Sequence, residues 1–141
     1  MSERVIEIDL GVRWEPNVPE AILIADDAKV ALAVRAHFDD VDRRSVVLRW
    51  SGVMWSCMGA PNDEALQHHR LYGKGLKGLH WAGQVESSSL LGALSPMVHD
   101  ASGHTHYVVL LKEDLVEVIA RSVECLRIAG TTREAALTSL S

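Results

Sequence analysis

The chain is poor in the residues that staple, stiffen or anchor a protein. It holds two cysteines, four prolines and one phenylalanine in 141 residues. Two thiols, Cys57 and Cys125, are too few for a disulfide framework, and each sits in an apolar alternating run where cysteine is commonly a small buried hydrophobe. No apolar stretch approaches the length needed to span a bilayer. The start, Met1-Ser2-Glu3-Arg4-Val5-Ile6-Glu7, lacks the basic stretch and apolar run of a signal peptide. Cations are fewer than anions, 14 against 19, for a net charge of −5. They are also scattered: only Arg43 and Arg44 are adjacent, and they follow Asp39, Asp40 and Asp42. A phosphate-tracking surface needs clustered cations, so nucleic acid is not an expected partner, and neither is a membrane. Repeats, low-complexity tracts and interior linkers are also missing. The expectation is a soluble, reduced, cytoplasmic protein forming one domain over residues 1–141. With 48% apolar and 23% charged residues, it has material for an ordinary core.

What is present is chiefly strand-like. Arg4 to Asp9, Ile22 to Ala25 and Val30 to Val34 alternate or are β-branched, and Asp26-Asp27-Ala28 supplies turn chemistry between the last two. Trp14, Pro16 and Pro19 lie in a loop. After the charged turn Asp39 to Arg44, Val46, Leu48 and Trp50 share one side of a strand. Ser51-Gly52 reads as a two-residue hairpin loop, with Val53 to Met58 returning as partner. Asn62 is a helix cap with Asp63 and Glu64 in the first turn and His68, His69 and Arg70 in the last. Gly73, Gly75 and Gly78 read as a flexible link. Leu79 to Glu86 is a strand, Ser87 or Ser88 caps a short helix that Pro96 stops, and Thr105 to Leu111 is again a strand. Leu115 to Ile128 fits either period; its Val and Ile content favours strands. Thr131-Thr132-Arg133-Glu134 matches a capping box ahead of a C-terminal helix. The expected class is α+β, a mainly antiparallel meander or curved sheet with two or three short helices.

Four of the seven histidines fall in two polar segments, His68-His69 and His104-Thr105-His106. Imidazole titrates near neutrality and binds metals. His104 and His106, two apart on a strand, would point to one face, and His68, Glu64 or Asp63 would supply a third metal ligand. The preferred chemistry needs no metal or other cofactor: a histidine oriented by a carboxylate works as general acid or base. Glu64 and His68 stand at helical i,i+4 spacing for that purpose. Candidate catalytic residues are His68, His104, His106, Asp63 and Glu64. Cys57 has no basic neighbour, no Gly-x-Ser-x-Gly elbow occurs, and Gly73-Lys74-Gly75 is too short for a phosphate loop. Trp14, Trp50, Trp55 and Trp81 are four of only seven aromatics. With His69 and Tyr72, the three tryptophans Trp50, Trp55 and Trp81 are candidate ligand- or partner-binding residues.

The stretch Pro61-Asn62-Asp63-Glu64, then His69, Leu71-Tyr72 and Gly75-Leu76, resembles a group of small bacterial proteins with no assigned reaction. Val85-Glu86-Ser87-Ser88 and His106-Tyr107 extend the similarity over roughly residues 45 to 121. Departures are Arg70 in place of Pro, Leu90 in place of an aromatic, and Lys112-Glu113-Asp114 at a turn. The resemblance implies a hairpin over residues 105 to 121 and a compact single domain, and brings no reaction with it.

Two functions are therefore carried forward. One is a binding domain for a small molecule or protein partner, with a homodimer left open, presenting a His-rich loop and exposed aromatics. The other is a small acid–base enzyme of isomerase, cyclase or dehydratase type, acting on a partly apolar metabolite.

Overall fold

The computed structural model describes residues 2–141. They form nine strands in two antiparallel sheets, with two short α-helices and several 3-10 turns, a mixed α+β fold that is mostly β. In chain order the strands are β1 (Arg4–Glu7), β2 (Ile22–Ala25), β3 (Lys29–Val34), β4 (Ser45–Ser51), β5 (Trp55–Gly59), β6 (Ala82–Glu86), β7 (Thr105–Leu110), β8 (Leu115–Ala120) and β9 (Ser122–Ile128). The helices are α1 (Ser89–Leu94) and α2 (Thr132–Ser139). One sheet runs β1-β6-β7-β8-β5, the other β2-β3-β4-β9. Each has a three-stranded meander in it, β6-β7-β8 and β2-β3-β4. The single curved sheet anticipated from alternation thus resolves into two.

The sheets face each other across the main core. Val30, Leu32, Val34, Val46, Leu48 and Trp50 from one pack with Ala82, Val109, Val116, Val118 and Ala120 from the other. Each sheet also covers its second face. Helix α2 lays Ala135 and Ala136 on Ala31, Ala33 and Val47, where small residues on both sides allow close approach. Its capping box is formed as the sequence indicates, with Thr131 and Glu134 exchanging side chain-to-backbone bonds. On the five-stranded sheet, Leu71, Leu76 and Leu79 cover Val5, Val85, Val108 and Leu115.

Three local expectations fail for tertiary reasons. Ser51-Gly52 closes no hairpin. Met54 N–H bonds Ile119 and Arg121 N–H bonds Ser51, so residues 45 to 59 run antiparallel to residues 128 to 115 as one bent ribbon. Residues 52 to 54 form a bulge at which the chain passes from one sheet to the other. Gly52, at φ +65°, allows the corner. Cys57 is exposed rather than buried, because β5 is an edge strand. And residues 71 to 79 are no flexible link: Leu71 and Leu76 are fully buried and anchor successive 3-10 turns.

Gly75 locks that cover onto β1. Its φ is +111°, and a Cβ placed there would lie 2.5 Å from the Val5 carbonyl oxygen, backbone that has no flexible end to yield. Gly75→Ala is expected to cost about 1–3 kcal/mol, read as a shift in the urea midpoint. A loss below about 0.5 kcal/mol would mean that the cover can lift off β1 freely.

Candidate functional site

The most polar feature of the interior is a lone carboxylate in an apolar strand. Strand β8 reads Leu115-Val116-Glu117-Val118-Ile119-Ala120, and alternation sends Leu115, Glu117 and Ile119 to the outer face of the five-stranded sheet. There Glu117 is buried under the 3-10 cover. Four donor bonds reach its two oxygens. His106 Nε2 lies 2.8 Å from Oε1 and His69 Nε2 3.4 Å from Oε2. Arg70 reaches Oε1 at 3.0 Å with one guanidinium nitrogen and Oε2 at 3.4 Å with the other. Burial pushes the pKa of Glu117 up, but the hydrogen bonds from His106 and Arg70, with the guanidinium charge of Arg70, outweigh it and hold the carboxyl down to about 2.

The network also fixes both imidazole tautomers. His69 Nδ1 accepts the Leu71 N–H at 3.0 Å, so its proton is on Nε2, facing the carboxylate. His106 Nδ1 lies 2.7 Å from the Ser88 hydroxyl, which donates to it, so His106 too carries its proton on Nε2. Ser88 is the N-cap of α1, and its oxygen in turn accepts the Leu91 N–H at 3.0 Å.

The two histidine segments therefore meet, but through His69 and His106 on one carboxylate. His106, a candidate catalytic residue, is completely buried, because β7 places it on the covered face beside β8. His68, Asp63 and Glu64 stay on the exposed side of the turn Asp63–His68. That turn is 3-10, not α, so Glu64 and His68 lose the face-sharing that i,i+4 spacing gives an α-helix. Asp63 pairs with Lys112 at 3.3 Å instead. His104 is half-buried just before β7, its Nδ1 3.0 Å from the Ala101 carbonyl. Among the described residues, no group of three or more His, Cys, Asp and Glu side chains is arranged to hold a metal ion.

Of the aromatic candidates, Trp50 is a core residue. It points between the sheets beside Tyr107, and its buried Nε1 has no hydrogen-bond partner among the described residues. Its place in the middle of the inter-sheet core removes it from any binding surface. Trp55 and Tyr72 are half-buried, on β5 and in the 3-10 cover. Trp81, also half-buried, borders a cleft of about 670 Å³ bounded by residues 7 to 14 with Asp40, Ala82 and Arg127. Four rings step outwards beside this cleft. Trp14 meets Trp81 edge-on at 5.4 Å, Trp81 meets His37 at 5.9 Å, and His37 stacks on the exposed Phe38 at 4.3 Å. On the same wall Arg127 bonds Asp40 at 2.7 Å, while Arg13 stands 3.6 Å from that carboxylate and is about half exposed.

The sequence reading missed Glu117, Arg70 and Ser88. Only Glu117 carried a signal, as the one charge in six residues of an otherwise apolar strand. No family model, curated protein or solved structure matches the chain.

Proposed function

We propose that the chain is a small ligand-binding domain whose site is the cleft beside Trp81. The observation that carries the reading is the cleft itself: its roughly 670 Å³ falls within the size range of small-molecule sites. Its chemistry suits a planar, partly apolar ligand with an anionic substituent. Trp81, Leu10 and Val12 offer apolar surface, and Arg13, held among the described residues only by its long approach to Asp40, is placed to turn towards an anion. We place the domain in the reducing cytoplasm, where an exposed thiol such as that of Cys57 stays reduced.

The acid–base enzyme reading has less behind it. Both nitrogens of His106 are engaged within the protein, and His68 stands apart from that network on the exposed side of its turn. The one proton His106 is placed to take directly is that of Ser88.

The test is a titration with 2-naphthoate, followed by ¹H–¹⁵N NMR. Shifts are expected to cluster at the Trp81 indole N–H and at the amides of Leu10, Val12 and Arg13. Trp81→Ala should weaken Kd by about 10-fold or more, since burying an aromatic face contributes about 1.5–3 kcal/mol. Shifts scattered away from the cleft, or an affinity unchanged in Trp81→Ala, would remove the site.

A further inference from the structure

A second site lies at the other end of β6 and shares no lining residue with the Trp81 cleft. Strand β6 ends at Glu86, Ser87 turns the chain in the left-handed region at φ +53°, and α1 starts at Ser89. A serine side chain has no intrinsic preference for that region, and such a residue persists only where its surroundings impose it. The result is a sharp strand–turn–helix with Ser88 at its apex. Ser88 lines an open groove of about 430 Å³ together with Gln84, Val85, Leu91, His104 and Thr105. Behind it lies the relay already described: Ser88 Oγ 2.7 Å from His106 Nδ1, and His106 Nε2 2.8 Å from Glu117.

We propose that Ser88 is a nucleophile, activated by His106 and oriented through Glu117, that accepts the acyl group of a small ester or thioester bound in this groove. Capping α1 requires only an acceptor oxygen, which Ser88 already supplies to Leu91. Capping does not require a fully buried imidazole behind the hydroxyl, nor a buried carboxylate behind the imidazole. Those two groups are costly to bury and supply what a nucleophilic hydroxyl needs, a base within hydrogen-bond reach and a third group to orient the base. The ring presents Nδ1 to the serine and Nε2 to the carboxylate, and either nitrogen of imidazole serves as base. Sharp strand-to-helix turns also present the nucleophile in unrelated hydrolytic folds; there the nucleophile itself is the strained residue, whereas here the left-handed residue is Ser87, one position earlier.

The step balances with water as the only co-reactant. An oxygen electron pair of Ser88 forms a bond to the acyl carbon while the hydroxyl proton passes to His106 Nδ1. Collapse of the tetrahedral adduct breaks the bond to the alkoxide or thiolate, which leaves with the proton from Nδ1. Water then attacks the acyl-serine with the same proton transfers, releasing the carboxylic acid and restoring the Ser88 hydroxyl. Glu117 stays ionised throughout and stabilises the imidazolium through the Nε2–H bond. His69 and Arg70 are positioning residues that keep the carboxylate in place.

The experiment treats the full chain with diisopropyl fluorophosphate and, separately, p-nitrophenyl acetate, and maps the modified residue by mass spectrometry. Its chain neighbours Ser87 and Ser89, both more exposed than Ser88, are internal controls. Ser88 is expected to react about 100-fold faster than either, the lower end of what a positioned general base contributes. Ser88→Asn, which keeps a capping oxygen but no hydroxyl, should lose the modification while retaining its melting transition. His106→Gln, where folded, should slow it about 100-fold. The proposal is overturned if Ser88 in the folded wild type reacts no faster than Ser87 and Ser89, or if a folded His106→Gln protein reacts at the wild-type rate. The ratio among the three serines decides the matter even if His106→Gln does not fold, and it leaves the Trp81 cleft untouched either way.

Discussion

Glu117→Ala is expected to destabilise the fold by about 3 kcal/mol at pH 7. The substitution strips the acceptor from His106 Nε2, which has no route to water, from the nearly buried ring of His69, and from Arg70. Arg70 is about half exposed and can turn outwards, so the imidazole donors carry most of the cost. The same magnitude follows from protonation. The carboxyl pKa is about 2 in the fold against an ordinary 4.5, and 2.5 units correspond to about 3 kcal/mol. Because the folded pKa is depressed, this stabilisation is fully present above pH 4.5 and is lost as pH falls from there to about 2. Wild type and Glu117→Gln, compared by urea denaturation across that range, should therefore converge at the acid end. A gap below about 1 kcal/mol at pH 7, or one as wide at pH 2 as at pH 7, would show that the carboxylate is not held as described.

His106→Ala is expected to cost about 2–4 kcal/mol, the scale of a core truncation such as Leu48→Ala. Both side chains are 0% exposed. Removing the ring leaves a cavity on the covered face of the five-stranded sheet. It also deprives the Ser88 hydroxyl of its acceptor and Glu117 of its shortest donor. The double substitution of His106 and Glu117 should cost less than the sum of the two singles by about 0.5–3 kcal/mol, because they share one bond. Denaturant midpoints for His106→Ala and Leu48→Ala measure the comparison. A His106→Ala cost near 0.5 kcal/mol, typical of a surface change, would place the ring in solvent and dissolve the relay with Ser88.

Much of the local structure was written in the sequence because the determining bonds close within three or four residues. Asp26 accepts the N–H groups of Ala28 and Lys29 and makes the β2–β3 turn. Asn62 caps the turn that follows it, and Thr131 with Glu134 opens α2. Strands β8 and β9 occupy the stretch whose Val and Ile content favoured strands over its competing helical stripe. Composition and charge spacing likewise require only counting.

The candidate site was legible only in part, since its bonds span 11, 18, 47 and 48 residues. The histidine segments marked the neighbourhood, but which histidine turned inwards depended on strand pairing that alternation does not encode. A period of two says that residues share a face; it does not say which face is covered, or by what. So Trp50 and His106 both read as available polar-rimmed side chains, and both are interior. The Ser51-Gly52 corner shows the same limit, because a glycine at positive φ serves a hairpin turn and a bulge equally well. The sequence by itself determined the turns, the caps, the α+β class and the lack of clustered cations. The tertiary structure alone decided that Glu117 would gather His69, Arg70, His106 and, through it, Ser88, since a buried carboxylate is stable only where distant donors are brought to it.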